Sequence, residues 1–269
     1  MSSVTVRGEA VPALGFGTWP MEGETCRTAV KTALETGYRH IDTAQMYGNE
    51  DAVGRAIADS EVPREEVFLV TKVLRRNLAY DDVLNSVEGS LERLGTDIDL
   101  LLIHSPSRSV SVEESIEAMN ELQKRGAVEY VGVSNFSVGQ VQQAIAASAT
   151  PILTNQVEYH PFRGQIEILE FCIENDIMLT AYSPLAKGRV VGNEVLEEIG
   201  TRHEKTAAQV ALRWLLQQEM VAAIPKASSQ KHIEENLDVF DFELGPDEMT
   251  QIFELQGGVV SRLRNLFDL

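Results

Sequence analysis

Four polar side chains stand at or just past the end of apolar, strand-like runs: Asp42 and Tyr47 in HIDTAQMYGNE, Lys72 in FLVTKV and His104 in DLLLIHSP. Strand ends are where a parallel barrel concentrates its chemistry, so a carboxylate, a phenol, an amine and an imidazole can meet at one mouth despite separations of up to 62 positions. Together they are the set needed to tune one proton donor. A phenol titrates near ~10 when unperturbed. A neighbouring cation and a hydrogen-bonding imidazole are then needed to make it a useful acid near neutrality.

Such a convergence requires elements that alternate along the chain, and they are present. Eight short runs read as strands, at 14–19, 38–44, 67–73, 99–104, 129–135, 152–159, 178–185 and 221–226. Several are apolar without alternation, as expected of strands covered on both faces. Between them, Val83, Val87, Leu91 and Leu94, and likewise Ile116, Met119 and Leu122, recur at helical spacing. Ser111 and Ser137 stand at helix starts, and Pro246 followed by Asp247 and Glu248 predicts a further helix after the eighth unit. The opening VTVRGEAVPAL, with its central glycine, reads as a hairpin closing the bottom of the sheet. No linker rich in Pro, Gly or Ser divides the 269 residues, so a single domain over 1–269 is expected.

Composition narrows the function. Lys+Arg 23 against Asp+Glu 41 leaves a net charge of −18, which repels nucleic acid and anionic membrane surfaces. The bland account of this surplus is a solvated acidic surface; a sharper one is adaptation to high salt. No run of roughly 18 apolar residues and no leader-like N-terminus occurs, so a soluble cytoplasmic protein is expected. Cys26 and Cys172 lie in helix-like patterns without metal-ligand spacing; they read as buried small hydrophobes, with neither disulfide nor metal expected. His40 and His160 read as structural, and His203 as lying on a helix surface.

From Gly15 to about Glu243, the segments GFGTW, HIDTA with YGNE, VTK, LLIH, GVSNF, NQVEYHP, AYSPL and IPK follow one another in an order that resembles the aldo-keto reductase family. The resemblance implies an α/β fold, a (β/α)8 TIM barrel with an N-terminal β-hairpin and an extra C-terminal helix. It implies NADPH, or NADH, bound in an extended pose, and this chain indeed has no G-x-G-x-x-G after a strand. Tyr47 would be the general acid for a small-molecule carbonyl substrate, Lys72 would favour its phenolate, Asp42 would pair with Lys72, and His104 would orient the substrate oxygen. By the same resemblance Gly17, Thr18, Trp19 and Asp42 border the coenzyme. Tyr182 stacks on the nicotinamide, while Ser134, Asn135 and Gln156 bond its carboxamide. Ser183 and Leu185 follow the pyrophosphate, Lys226 meets the 2′-phosphate side of the adenosine, and Glu235 and Asn236 meet the adenine. A monomer is expected.

Two positions depart from the family pattern. His232 stands where many members carry arginine, and Ala227 where they commonly carry serine. An imidazole lacks the guanidinium's permanent charge and fork of donors, which weakens discrimination for NADPH over NADH; Ser228 and Ser229 are candidate compensating donors. Around the substrate, Trp19 and Met46 are expected to form an apolar wall, and Ser105 stands where many relatives have tryptophan. A short loop after Pro106 and a chain end soon after Leu255 predict an open pocket with broad acceptance of small aldehydes, dicarbonyls or keto-sugars. Two other readings stand beside this one: a barrel lyase or isomerase using Lys72, and a non-catalytic subunit that senses cofactor.

Overall fold

A computed structural model describes residues 2–257 of the chain. Eight parallel strands lie side by side in chain order: β3 (Phe16–Gly17), β4 (His40–Asp42), β5 (Phe68–Val73), β6 (Ile98–Ile103), β7 (Val128–Ser134), β8 (Ile152–Glu158), β9 (Met178–Tyr182) and β10 (Val221–Ile224). The two outer members meet. Gly15 and Gly17 N–H donate to the carbonyls of Ala223 and Pro225 at 2.9 Å, and Ala223 N–H donates to Ala13 at 2.8 Å, so the sheet closes into the expected (β/α)8 TIM barrel. Each expected run matches one strand, β6 and β7 starting one residue before theirs. The run at 178–185 ends at Tyr182 because Ser183 turns to φ 49° and the chain leaves the ladder to build a loop at the barrel mouth.

Connecting helices carry the predicted stripes against the outer wall. They are α1 (Gly23–Thr36), α2 (Glu50–Ala58), α3 (Tyr80–Leu94), α4 (Val112–Lys124), α5 (Val138–Ala147) and α6 (Ile166–Glu174), then α7 (Glu194–His203) and α8 (Ala207–Leu216) in one crossover, then α9 (Gln230–Leu237) after β10. Val83, Val87, Leu94, Ile116, Met119 and Leu122 are buried in the layer between strands and helices. Ser111 accepts from Glu114 N–H at 3.1 Å, capping α4 as its spacing predicts. The extra helix after the eighth unit is α10 (Pro246–Glu254). Cys26 and Cys172 are buried free thiols on α1 and α6, each pushed up to about 12, chiefly by burial, as suits small hydrophobes rather than ligands.

Inside the barrel a second apolar layer of Val70, Leu100, Leu102, Leu153, Met178 and Ala222 fills the N-terminal end. The hairpin β1 (Ser3–Val6) and β2 (Glu9–Pro12) presses Val6 and Val11 against that layer. Its two-residue turn places Arg7 at φ 53° and Gly8 at φ 90°, the twist that suits a tight hairpin. In β8 one extra residue is inserted where Val131 and Val133 of β7 pair with Ile152 and Asn155. This bulge lets both Leu153 and Thr154 face inward and sets Gln156 toward the mouth. Among the described residues no helix is long and apolar enough to cross a membrane. The stretch after Gly257, on which the expectation of a short C-terminal end depends, lies outside the described residues, as does the rest of the 1–269 span.

The seam requires glycine. A Cβ on Gly17 would lie 2.8 Å from the Ile224 carbonyl oxygen, and one on Gly15 would lie 2.7 Å from the His40 ring. Gly17→Ala is therefore expected to destabilise the fold by about 1–3 kcal/mol, read as a lower urea midpoint with unchanged slope. His40 lies inside the barrel with Nδ1–H directed at Pro12 O, 3.1 Å away, and His160 Nδ1 accepts from Phe162 N–H at 3.1 Å. Burial holds both below the ordinary value of 6.5, against the opposing pull of Asp42 and Glu158. Because the unfolded chain then takes up protons first, stability contributed by neutral His40 and His160 is present above pH 6.5 and is lost as pH falls below it. Denaturation titrations from neutral to acidic pH should show that decline; a flat profile would contradict it.

Candidate active site

At the C-terminal mouth of the barrel the four residues come together. Asp42 is the last residue of β4, Lys72 the penultimate residue of β5, and His104 follows β6 directly. Tyr47 ends a short 3-10 turn, Gln45–Tyr47, and Gly48 at φ 64° closes that turn in the left-handed region that favours glycine. Lys72 Nζ donates to Asp42 Oδ1 at 2.5 Å, to Thr43 O at 2.9 Å and to the Tyr47 hydroxyl at 3.3 Å. Gln156, one of the residues expected beside the coenzyme, donates from Nε2 to Asp42 Oδ2 at 2.7 Å. Both carboxylate oxygens are thereby held. The rings of Trp19 and His104 flank Tyr47, with centroids 5.3 and 5.8 Å away.

Electrostatics separate the roles these groups can take. Burial works against a charged Lys72, yet Asp42 and Tyr47 outweigh it and the ammonium titrates above its usual value. His104 is pulled down to about 4 by burial and by the Lys72 charge, so the imidazole is neutral near pH 7. Tyr47 differs from expectation. Burial raises its phenol above the ordinary value and outweighs the lowering influence of Lys72, so the hydroxyl keeps its proton throughout the neutral range.

Behind the tetrad lies a positioning network that the sequence reading did not single out. Gln45 Oε1 accepts from Leu74 N–H at 2.9 Å, while its Nε2 donates to Ser86 O and Ser90 Oγ at 3.1 Å, tying the Tyr47 turn to β5 and α3. Asn49 accepts from Thr43 Oγ1 at 2.6 Å and donates to Met21 O at 2.8 Å. Glu50, buried, accepts from Thr71 Oγ1 at 2.6 Å and from Arg93 Nε at 2.8 Å. The sequence signal was the dense polar run QMYGNE directly after a strand, where solvated loop residues and buried anchors look alike.

A cleft of about 1320 Å³ opens over the tetrad and runs to α9. It exceeds the roughly 300–1,000 Å³ of ordinary small-molecule pockets, and thus has room for a dinucleotide together with a second reactant. Trp19 and Met46, about half exposed, form part of its wall near Tyr47. Gly17, Thr18, Ser134, Asn135 and Gln156 line the cleft in its middle, where Tyr182 hydroxyl donates to Asn135 Oδ1 at 3.0 Å. Ser183 and Leu185 line it beyond, in a loop where Ser183, Ala186 and Lys187 all have positive φ. Lys226, His232, Glu235 and Asn236 line the far arm.

Two expected contacts do not lie on this surface: Ser105 and Ser228 are both off the cleft wall. Ser229, the other candidate donor near His232, is instead the N-cap of α9, its hydroxyl accepting from His232 N–H at 3.3 Å. The cleft also takes in Thr206, Ala207 and Ala208 at the start of α8, which the sequence reading passed over although TAAQ carries a capping-box pattern. No group of three or more His, Cys, Asp or Glu among the described residues is placed to hold a metal ion.

Comparison with known proteins agrees with this geometry. Residues 13–256 match the Aldo/keto reductase family. The methylglyoxal reductase DkgB of Escherichia coli O157:H7 is 40% identical over 250 residues, covering 91% of this chain and 93% of its own. The glyoxal reductase of Bacillus subtilis (strain 168) is 41% identical over 247 residues, covering 91% and 89%. A crystal structure assigned to a 2,5-diketo-D-gluconic acid reductase B superposes with a TM-score of 0.93 at 45% identity, covering 97% of this chain and 94% of that one. With the barrel and a family match spanning most of its length, the chain belongs to the aldo/keto reductase family and is an oxidoreductase acting on carbonyl groups.

Proposed function

We propose that this protein reduces small aldehydes, dicarbonyls or keto-sugars to alcohols with NADPH, and less selectively with NADH, Tyr47 giving its proton to the carbonyl oxygen. The observation that carries this reading is the Tyr47 hydroxyl held 3.3 Å from Lys72 Nζ at the floor of the cleft. A bound coenzyme supplies the hydride to the carbonyl carbon. As negative charge grows on the substrate oxygen, the phenolic proton moves to it, and Lys72 stabilises the phenolate left behind. Neutral His104 directs the carbonyl toward Tyr47 and adds no competing charge. Asp42, bonded by Lys72 and Gln156, keeps the ammonium in place. One barrel holds every one of these groups, which fits activity as a monomer and a single domain.

A phenol raised above its usual value holds the proton that reduction must deliver, whereas alcohol oxidation at the same site needs its phenolate form. The Schiff-base reading loses support for a related reason. Such a lysine must shed its proton, whereas Lys72 is raised and ion-paired. The relatives named methylglyoxal and glyoxal reductases support dicarbonyls as a substrate class.

Along the far arm, Lys226, Lys231 and His232 are the basic side chains positioned to favour a 2′-phosphate. Coenzyme oxidation followed at 340 nm should therefore show NADPH preferred over NADH by less than about 1000-fold in kcat/KM, roughly 4 kcal/mol. His232→Arg should widen that preference. Tyr47→Phe should lower kcat by about 10²–10⁴-fold while leaving the coenzyme Kd unchanged, because only the transferable proton is removed. A Tyr47→Phe protein that retained full turnover would overturn the assignment.

A further inference from the structure

The sulfur groups of this chain are two thiols and seven thioethers, and they differ in their access to solvent. Cys26 and Cys172 are fully buried, and their thiols are raised to about 12, chiefly by burial, so neither offers the thiolate on which reaction with a peroxide depends. Met21, Met119, Met178 and Met249 are buried as well. Met220 is half-buried against the apolar layer at the N-terminal end of the barrel, and Met1 lies outside the described residues. Met46 is the one exposed methionine among the described residues, at 50%.

Met46 also stands where a change of polarity has a consequence. It is the middle residue of the Gln45–Tyr47 turn, so the next residue in the chain is the proton donor, and it lines the cleft together with Trp19. The turn is held from both ends. Gln45 bonds Leu74 N–H, Ser86 O and Ser90 Oγ, and the Tyr47 hydroxyl accepts from Lys72 Nζ at 3.3 Å. The backbone therefore cannot carry Met46 away from the mouth without displacing the phenol. Half of the residue is open to solvent, and a small water-soluble oxidant reaches it through the opening that admits substrate.

We propose that Met46 is a modification site, oxidised by hydroperoxides to the sulfoxide ahead of every other described methionine, and that the sulfoxide weakens the binding of apolar carbonyl substrates; the second half rests on the reductase reading above. The thioether sulfur attacks the terminal oxygen of the hydroperoxide, and a sulfur–oxygen bond forms as the oxygen–oxygen bond breaks. The proton on the attacked oxygen passes to the departing one, which leaves as an alcohol or water, so the sulfur is oxidised by two electrons and the peroxide reduced by two. Sulfoxide is polar and chiral where the thioether was apolar. An oxygen that calls for a hydrogen-bond partner then faces the carbon skeleton of the substrate, which costs binding. No atom of Asp42, Tyr47, Lys72 or His104 is altered, so the effect falls on KM and spares kcat.

Graded exposure to hydrogen peroxide tests it, followed by peptide mapping in a mass spectrometer and by steady-state kinetics with hexanal and glyoxal. One added oxygen should appear on the peptide carrying Met46 before it appears on any other described methionine. KM for hexanal should then rise between about twofold and thirtyfold, with kcat and the NADPH Kd unchanged, while KM for glyoxal, which has no apolar chain, should rise less. Methionine sulfoxide reductases A and B together should reverse the rise. Met46→Leu should hold its own untreated KM through the same exposure, and Met46→Gln should raise KM for hexanal before any oxidant is added. First oxidation at another described methionine, an unchanged KM once Met46 carries the oxygen, or an equal rise in Met46→Leu would overturn the proposal. Turnover of neither aldehyde by the untreated protein would overturn the reductase reading and the KM effect with it, while the peptide map would still decide the site of oxidation.

Discussion

An ammonium and a carboxylate face each other at 2.5 Å inside the barrel, with side chains only 1% and 2% exposed, and the remainder of the site is arranged around them. Removing two such charges from water costs several kcal/mol per ion, and an apolar pair of similar volume would often be as stable or more so. The Asp42–Lys72 pair therefore contributes little that the fold needs for its own sake. It supplies a fixed positive charge beside a phenol in a setting of low dielectric, where that charge acts strongly. The cost is offset by complete bonding: Thr43 O and the Tyr47 hydroxyl take the other ammonium protons, and Gln156 takes the second carboxylate oxygen.

Keeping that pair dry and oriented is the work of the barrel, which is layered along its axis. The hairpin and an apolar layer seal the N-terminal end, Thr154 and Thr180 bond to one another at 2.8 Å in the middle, and the ionic layer lies at the mouth. Stability and chemistry thus occupy different ends of the same interior. Tyr47 is the exception in this layering, since it comes from a loop rather than a strand. Gln45, Asn49 and Glu50 bind that loop to β5, to α3 and to the turn after β3, which restricts the phenol to one place above Lys72.

Much of this was legible in the residue order. Short apolar runs marked each strand and a spacing of three to four marked the helical stripes, because both faces of a barrel strand and one face of each helix must be apolar. Asp42, Tyr47, Lys72 and His104 stood out because charged or polar groups interrupted those apolar runs at one end. Other features were not legible for identifiable reasons. Gln156 meets Asp42 across 114 positions of sequence, a contact created only by ring closure and aided by a bulge that has no local signature. Ser105 and Ser228 have the right chemistry and neighbours, yet neither is among the residues that line the cleft, and their loop geometry has no local signature. The phenol of Tyr47 was expected to be lowered by its cationic neighbour, and depth of burial, which no sequence reports, reversed that direction.

By itself the sequence determined the repeating unit, the number of strands, the acidic balance and the identities of the groups able to move a proton, since these follow from side-chain type and spacing alone. Tertiary structure decided how those groups act on one another. Bringing the strand ends onto one circle raised Lys72 above its usual value, kept Tyr47 protonated and held His104 neutral. The reason is that desolvation and Coulomb interactions depend on distance through space and on exclusion of water, and both quantities arise only when the ring has closed.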